Sequence, residues 1–227
     1  MPDIKYQISY SQRRRTVQLA IRNGEVYVRA PVTICRHWLS TWLQQKEHWV
    51  QQTLARMTTQ PVLPWLQRDR ILVSGQAVPF RWQLAAKSSI NVDANGLELR
   101  LSSKIAAQRH ENYARKLVQQ HFTEQALLEL PVLANELAAQ FRQTLGQVVV
   151  GNWRSRWGHC KQNGELGFNW RLMQVPLWVR RYVVIHELAH LQHMNHSPAF
   201  WQLVQQHCPQ YKEAKAWLKQ HQAELLY

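Results

Sequence analysis

The sequence predicts an α+β fold in two regions, an antiparallel β-rich N-terminal region over residues 1–103 and a second region over residues 104–227. Three observations predict this division. Apolar and polar residues alternate with a period of two in several stretches of the first region, as they do in half-buried strands. One stretch with helical spacing interrupts them. After residue 104 helical spacing dominates, so the second region is expected to combine helices with a mostly antiparallel sheet.

The first strands are predicted at residues 6–10, 17–21 and 26–28. Asn23-Gly24 between the last two is the dipeptide typical of a type I′ hairpin turn. We therefore expect a small antiparallel meander, with Arg13, Arg14 and Arg15 at its first hairpin.

One helix is predicted between Cys35 and Met57, where large apolar residues recur at helical spacing. Its tryptophan stripe is expected to lie in the core, because it lacks the glycines and open strands of a base-stacking platform. After a break at Pro61 and Pro64, strand alternation resumes over residues 71–84 and 90–101.

The second region opens with a helical stretch over residues 104–145, expected to be interrupted at Pro131 because proline cannot donate a helical hydrogen bond. A strand is predicted over residues 148–153. The turn at Asn163-Gly164 leads to another strand over residues 166–172, whose edge could accept a peptide as an added strand.

Three helices are predicted after that strand. Pro176 is expected to open the first, which ends by Asn195, and Pro198 is expected to open the second. The last helix is expected from about Gln210.

The most informative segment is His186-Glu187-Leu188-Ala189-His190, within the first of these helices. Residues four apart lie on one helical face, so His186 and His190 can direct two imidazoles at one point. Two such imidazoles suit a zinc ion, and Glu187 is positioned to take a proton from metal-activated water. This spacing predicts a metal-dependent hydrolase.

A third zinc ligand is needed, and three residues compete for the role. His196 follows six residues after His190, where Asn195 and Pro198 break the helix and allow the chain to turn back. His193 lies on the same helical face as the first two histidines, and Glu213 on the last helix could supply a carboxylate.

Three motifs resemble the YgjP-like metallopeptidases, relatives of the SprT/Spartan and WLM zincins. They are Trp153-Arg154-Ser155-Arg156-Trp157-Gly158-His159-Cys160, Leu166-Gly167-Phe168-Asn169-Trp170-Arg171-Leu172, and HELAH followed by NHSPAFW. The resemblance runs from about Tyr6 to Tyr227. It implies a zincin-like catalytic domain over residues 104–227, with His186, His190 and His196 as ligands and Glu187 as the catalytic acid/base.

The chain departs from the resemblance at His159, where many members carry serine. That histidine becomes a further candidate ligand or proton donor. Arg154, Arg156, His159 and His193 are the residues that the sequence offers for contacting the substrate or the negative charge of a transition state.

The formal net charge is +14, from 28 Lys and Arg against 14 Asp and Glu. Such an excess attracts polyanions, so nucleic acid and nucleotide phosphates are candidate partners beside a peptide or protein substrate. The resemblance to SprT/Spartan suggests proteolysis near nucleic acid. Some YgjP-like proteins are associated with nucleoside triphosphate hydrolysis, although the sequence has no glycine-rich phosphate loop.

We predict the cellular location from the lack of membrane-span and secretion signals in the sequence. No stretch approaches the roughly 18 uninterrupted apolar residues of a membrane span, and the N-terminus has no apolar secretion signal. Cys35, Cys160 and Cys208 are widely spaced, which favours reduced thiols. We expect a cytoplasmic zinc metallopeptidase-like hydrolase, with a nucleoside triphosphate pyrophosphatase or phosphohydrolase as the alternative. The oligomeric state is not predicted.

Overall fold

The computed structural model describes residues 4–22, 24–58 and 63–226. The chain divides into two compact units, Met1–Pro61 and Val62–Tyr227. Ten strands and five α-helices lie within the described ranges, which confirms the α+β class. The functional division at residue 104 stays a prediction.

The first unit consists of a three-stranded sheet and one helix. Its elements are β1 (Tyr6–Ser11), β2 (Gln18–Arg22), β3 (Glu25–Pro31) and α1 (Arg36–Thr58). The hairpin of β2 and β3 is confirmed, whereas its predicted turn type depends on Asn23, which lies outside the described residues. The predicted meander is wrong, because β1 pairs with β3 in parallel and the strand order is β1-β3-β2. The three arginines at positions 13–15 therefore connect two strands that do not pair.

Two leucines of α1 form the buried helix contact with the sheet, and Trp42 packs against them. Leu39 and Leu43 pack with Val28 and Ala30 of β3, and all four are buried. Since these residues fill the sheet-facing side of the helix, the side chains of Trp38 and Trp49 are 49% and 48% exposed. The expectation that the whole tryptophan stripe lies in the core is wrong for these two.

The second unit begins with a four-stranded sheet whose strands match the predicted segments. They are β4 (Arg70–Val73), β5 (Gln76–Ala85), β6 (Ser89–Asp93) and β7 (Gly96–Ser102), in the order β4-β5-β7-β6. The β4–β5 and β6–β7 pairs are antiparallel, but β5 and β7 are parallel. The prediction of a purely antiparallel N-terminal region is therefore wrong at two pairs, β1–β3 and β5–β7.

The longest helix, α2 (His110–Phe141), continues through Pro131, so the predicted interruption is wrong. Apolar side chains on both sides of the proline are buried in one core, including Ala126, Leu130, Ala134 and Leu137. Packing of this continuous face outweighs the loss of one backbone hydrogen bond at the proline.

The second sheet of this unit is small and mixed. It contains β8 (Val148–Gly151), β9 (Gly158–Cys160) and β10 (Leu166–Asn169), in the order β8-β10-β9. β10 is parallel to β8 and antiparallel to β9, so a mostly antiparallel sheet is not found here. Since β10 is paired on both sides and ends at Asn169, it offers no edge to a peptide, and β9 is an outer strand instead.

Three helices complete the unit, namely α3 (Leu177–Ala189), α4 (Pro198–His207) and α5 (Tyr211–Leu226). Their predicted starts at Pro176, Pro198 and about Gln210 are confirmed to within one residue. The β4–β5 turn fixes the start of α3, because Gly75 N–H donates to the Gln174 carbonyl at 2.8 Å and a β-carbon at residue 75 would lie 2.2 Å from Pro176. Within the described part of the chain, no helix is long and apolar enough to span a membrane.

Candidate metal centre

Two of the histidines lie at the C-terminal end of α3, an otherwise mostly apolar helix. Its buried positions include Val179, Val183 and Leu188, which anchor the helix in the core. The helix ends at Ala189, six residues before the predicted end at Asn195, and His190 caps it with helical backbone angles. The ring centroids of His186 and His190 lie 5.0 Å apart, as the four-residue spacing predicted.

The turn after α3 returns His196 to these two residues. Ser197 caps α4 by accepting a hydrogen bond from the Phe200 N–H at 3.3 Å, which fixes the direction in which the chain leaves the turn. His196 Nε2 then lies 3.1 Å from His186 Nε2, and the His196 ring stacks on Trp201 at 5.6 Å. Phe200 contacts all three imidazoles, with centroid distances from 4.6 to 5.0 Å.

Among the described residues, His186, His190 and His196 form a group able to hold a metal ion, with ligand atoms within 4.8 Å of one another. Neither Glu213 nor the His193 imidazole belongs to this group. His193 contributes its backbone carbonyl instead, which lies 3.0 Å from His190 Nδ1. That contact favours the tautomer in which His190 Nδ1 carries the proton and Nε2 keeps a lone pair for a metal.

The chemistry of this group fits a zinc ion. Zinc binds neutral imidazoles, and burial, followed by the neighbouring histidines and Lys215, lowers the pKa of His186 to about 3. Burial also lowers the pKa of His190. Nitrogens bound to zinc in a tetrahedron are about 3.3 Å apart, close to the observed 3.1 Å between His186 and His196. Three nitrogen donors leave a fourth position for water or substrate.

Glu187 follows His186 on α3, and its carboxylate has no ion-pair partner among the described residues. Its side chain is 6% exposed and packs against Gly158, where a β-carbon would lie 2.7 Å from Glu187 Cγ. Burial raises the pKa of Glu187 to about 8, although Arg156 lowers it in part.

A cleft of about 490 Å³ opens over Glu187 and His186. Its walls come from the segment before β9, from α3 and from α5. Arg156, Tyr182, Lys215, Lys219 and Gln222 supply the polar atoms of these walls. Glu187 and His186 therefore face a space large enough for part of a substrate.

Comparison with known protein families decides the identity. The family model described as YgjP-like, metallopeptidase domain, matches residues 15–221. The chain belongs to the YgjP-like metallopeptidase family. A search of curated proteins and a search of solved structures found no match.

Membership indicates that this YgjP-like protein is a metal-dependent hydrolase, which agrees with the chemistry of its three histidines.

Of the other four predicted site residues of this YgjP-like protein, one lines the cleft and three do not. Arg156 lines the cleft. His159 lies across Gly167 and 3.5 Å from Glu165 Oε1, so by strand alternation its side chain is on the face opposite Gly158 and Glu187. Among the residues that form the walls of the cleft, neither Arg154 nor His193 is found.

Two other arginines near the motif have internal contacts. Arg171 donates to the Leu225 carbonyl at 2.9 Å and to Asn152, and burial lowers its pKa to about 10. Arg180 donates to the Leu172 carbonyl and pairs with Glu129. Part of the large positive charge is therefore used to hold the fold together.

Sequence reasoning missed Tyr182, Lys215, Lys219 and the role of Gly158. Tyr182 lies one helical turn before His186, with ring centroids 5.9 Å apart, and this spacing could have identified it. The two lysines form a like-charge i, i+4 pair on α5, an unfavourable arrangement that is a signal in itself. Nothing in the local sequence of Gly158 indicated a contact with a residue 29 positions later.

Proposed function

We propose that this protein is a zinc-dependent metallopeptidase in which His186, His190 and His196 hold the ion and Glu187 transfers the proton. The observation that carries the proposal is the convergence of three imidazoles beside a buried carboxylate that has no salt bridge among the described residues. A buried carboxylate without an ion pair destabilises the fold when it is charged, which favours a role in hydrolysis over a structural one.

In the proposed reaction, water is activated at the metal and Glu187 moves the proton. A bound zinc ion supplies Lewis acidity and lowers the pKa of water to about 7. Glu187 accepts the proton of the attacking water and passes it to the leaving nitrogen of the peptide bond. Burial raises the pKa of Glu187 in the metal-free protein, which strengthens the carboxylate as a proton acceptor.

Negative charge that develops on the carbonyl oxygen needs a donor within the cleft. Of the four predicted candidates, Arg156 is the one that lines the cleft, and Tyr182 offers a hydroxyl from the same walls. We assign the stabilisation of this oxygen to these two side chains. His159 is better suited to positioning the β9–β10 pair through its contacts with Gly167 and Glu165.

The proposal is tested by metal analysis of the purified protein and by hydrolysis of a casein-type substrate with and without a chelator. We expect bound zinc, and proteolysis that the chelator abolishes and added zinc restores. Metal-free protein with full proteolytic activity would refute the proposal.

A second candidate function, a metal-dependent nucleoside triphosphate pyrophosphatase, is favoured by one observation. Three cationic side chains, Arg156, Lys215 and Lys219, line the cleft above Glu187 and could contact phosphates. Assays with nucleoside triphosphates, run in parallel with the casein assay, distinguish the two functions. Chelator-sensitive release of pyrophosphate without proteolysis would favour the second candidate.

Nucleic acid is proposed as an additional partner of the basic surface, supported by the formal charge of +14. Binding of this kind is expected to be independent of base sequence and to weaken steeply as salt rises. A titration of the protein with double-stranded DNA at two salt concentrations tests it, and DNA-stimulated proteolysis would connect it with the peptidase.

A further inference from the structure

The charges of the cleft point to the kind of substrate that it accepts. We propose that Lys215 and Lys219 form a binding site for an acidic side chain of a peptide, next to the bond that is cleaved. This inference rests on the proposed peptidase function and adds a substrate preference to it.

The first argument is the balance of charge in the cleft. Arg156, Lys215 and Lys219 contribute three positive charges, whereas Glu187 is the acidic side chain among the lining residues. Within the described part of the chain, none of the three cations forms a salt bridge. Their positive potential can therefore attract an anion that enters the cleft.

The second argument is that Lys215 is held in place. Its ammonium lies over the Trp201 ring, 4.4 Å from the centroid, and Trp201 in turn stacks on His196. This cation–π contact fixes the charge beside the histidine group at a moderate cost in side-chain freedom.

The third argument is that α5 presents a continuous recognition face. Lys219 follows Lys215 by one helical turn, and Gln222 follows Lys219 by three residues, so all three lie on one side of the helix. Like charges at this spacing destabilise an isolated helix, which is consistent with a pair that an anionic ligand stabilises.

The remaining walls favour a peptide carboxylate over a polyphosphate. Trp157, Val183, Ala216 and Leu218 line the same cleft and suit the apolar parts of a peptide chain.

The test is a binding measurement that needs no turnover. Zinc-loaded and metal-free forms of the Glu187→Gln protein are titrated into fluorescein-labelled Ala-Ala-Glu-Glu-Ala-Ala and its Gln-Gln counterpart, with fluorescence anisotropy as the readout. We expect the Glu peptide to bind about tenfold more tightly at low salt, and the preference to shrink as salt rises. Equal affinity for the two peptides would overturn the proposal.

The lysines are then removed in the same background. Lys215→Ala with Lys219→Ala should reduce the preference to about twofold or less. Lys212→Ala, compared with Lys215→Ala alone, is the matched control, since each removes one positive charge from α5 and Lys212 lies over Tyr211 and outside the cleft. A preference that survives the double substitution, or that Lys212→Ala removes equally well, would overturn the assignment.

The outcomes also separate this inference from the proposed function. Acid-selective binding by a wild-type protein that hydrolyses no peptide would refute the peptidase and leave the anion site standing. Chelator-sensitive proteolysis without acid selectivity would support the peptidase and refute the anion site. Tighter binding of a nucleoside triphosphate than of the Glu peptide, lost in the double variant, would overturn the choice of a carboxylate.

Discussion

Gly158 of β9 lies directly against Glu187 of α3. A β-carbon at residue 158 would lie 2.7 Å from Glu187 Cγ and 2.8 Å from Oε1, closer than real β-carbons approach such atoms. The absence of a side chain at this position therefore determines where the carboxylate lies relative to the three histidines.

Gly158→Ala should displace Glu187 and reduce peptide hydrolysis by at least about tenfold, because small misplacements of a catalytic group are costly. Zinc content should remain, since the substitution does not contact the histidines. Gly164→Ala is a stringent control, which should keep turnover: its backbone is strained, with φ at +81°, whereas Gly158 has no positive φ, and its β-carbon would meet nothing closer than 3.5 Å. Full turnover by Gly158→Ala would show that the glycine does not position the carboxylate.

Glu187→Gln should retain zinc and lose about 10²- to 10⁴-fold in kcat, because the amide cannot accept the proton of water. The measurement is kcat on a casein-type substrate together with metal content. Glu213→Gln, which removes an exposed carboxylate from α5, should leave both quantities unchanged. Retention of activity by Glu187→Gln would remove the residue from the mechanism.

Glu187 should also make the metal-free protein less stable as pH rises. Burial raises its folded-state pKa from 4.5 to about 8, so its contribution to stability is complete below pH 4.5 and is lost as pH rises through 8. The slope is at most about 1.36 kcal/mol per pH unit for one proton.

The measurement is urea denaturation of the wild type and of Glu187→Gln in the presence of a chelator, at several pH values between 5 and 8. The free energy of unfolding of the wild type, relative to that of the variant, should fall as pH rises. His186 titrates with the opposite sign in both proteins, so its contribution largely cancels in the difference. A difference that does not depend on pH would contradict a buried, proton-binding Glu187.

The adjacent arginines of α3 should differ sharply in their effect on stability. Arg180 is 4% exposed, donates to the Leu172 carbonyl at 2.9 Å and pairs with Glu129. Arg180→Ala should lower the free energy of unfolding by about 1.5–3 kcal/mol, because the buried Leu172 carbonyl loses its charged donor. Arg181→Ala breaks an exposed pair with Glu136 and should cost less than about 1 kcal/mol. Similar losses for both, measured by urea denaturation, would contradict this contrast.

The local parts of the site could be read from the sequence. The face shared by His186 and His190 follows from helical periodicity alone, and Pro176 and Ser197-Pro198 mark helix starts through well-defined backbone chemistry. These features depend on residues a few positions apart. The grouping of His196, rather than Glu213, with the two histidines of α3 depends on the path of the turn after α3, which sequence spacing left open.

Features that depend on distant residues could not be predicted. The parallel pairing of β1 with β3 is set by the sheet as a whole, and alternation in a strand does not reveal its neighbours. The contact between Gly158 and Glu187, and the approach of Lys215 to His196 through Trp201, arise only when β9, α4 and α5 pack on α3. Pro131 failed as a helix breaker for the same reason, since the core on both sides of it holds α2 together.

The central claim, that three imidazoles hold one zinc ion, is tested most directly by calorimetric titration of the metal-free protein with zinc. The wild type should bind one ion per chain, and His196→Ala should bind it at least about 100-fold more weakly. His193→Ala should keep the wild-type affinity, because the contact with His190 comes from the backbone carbonyl of residue 193. Unchanged zinc affinity in His196→Ala would contradict the account.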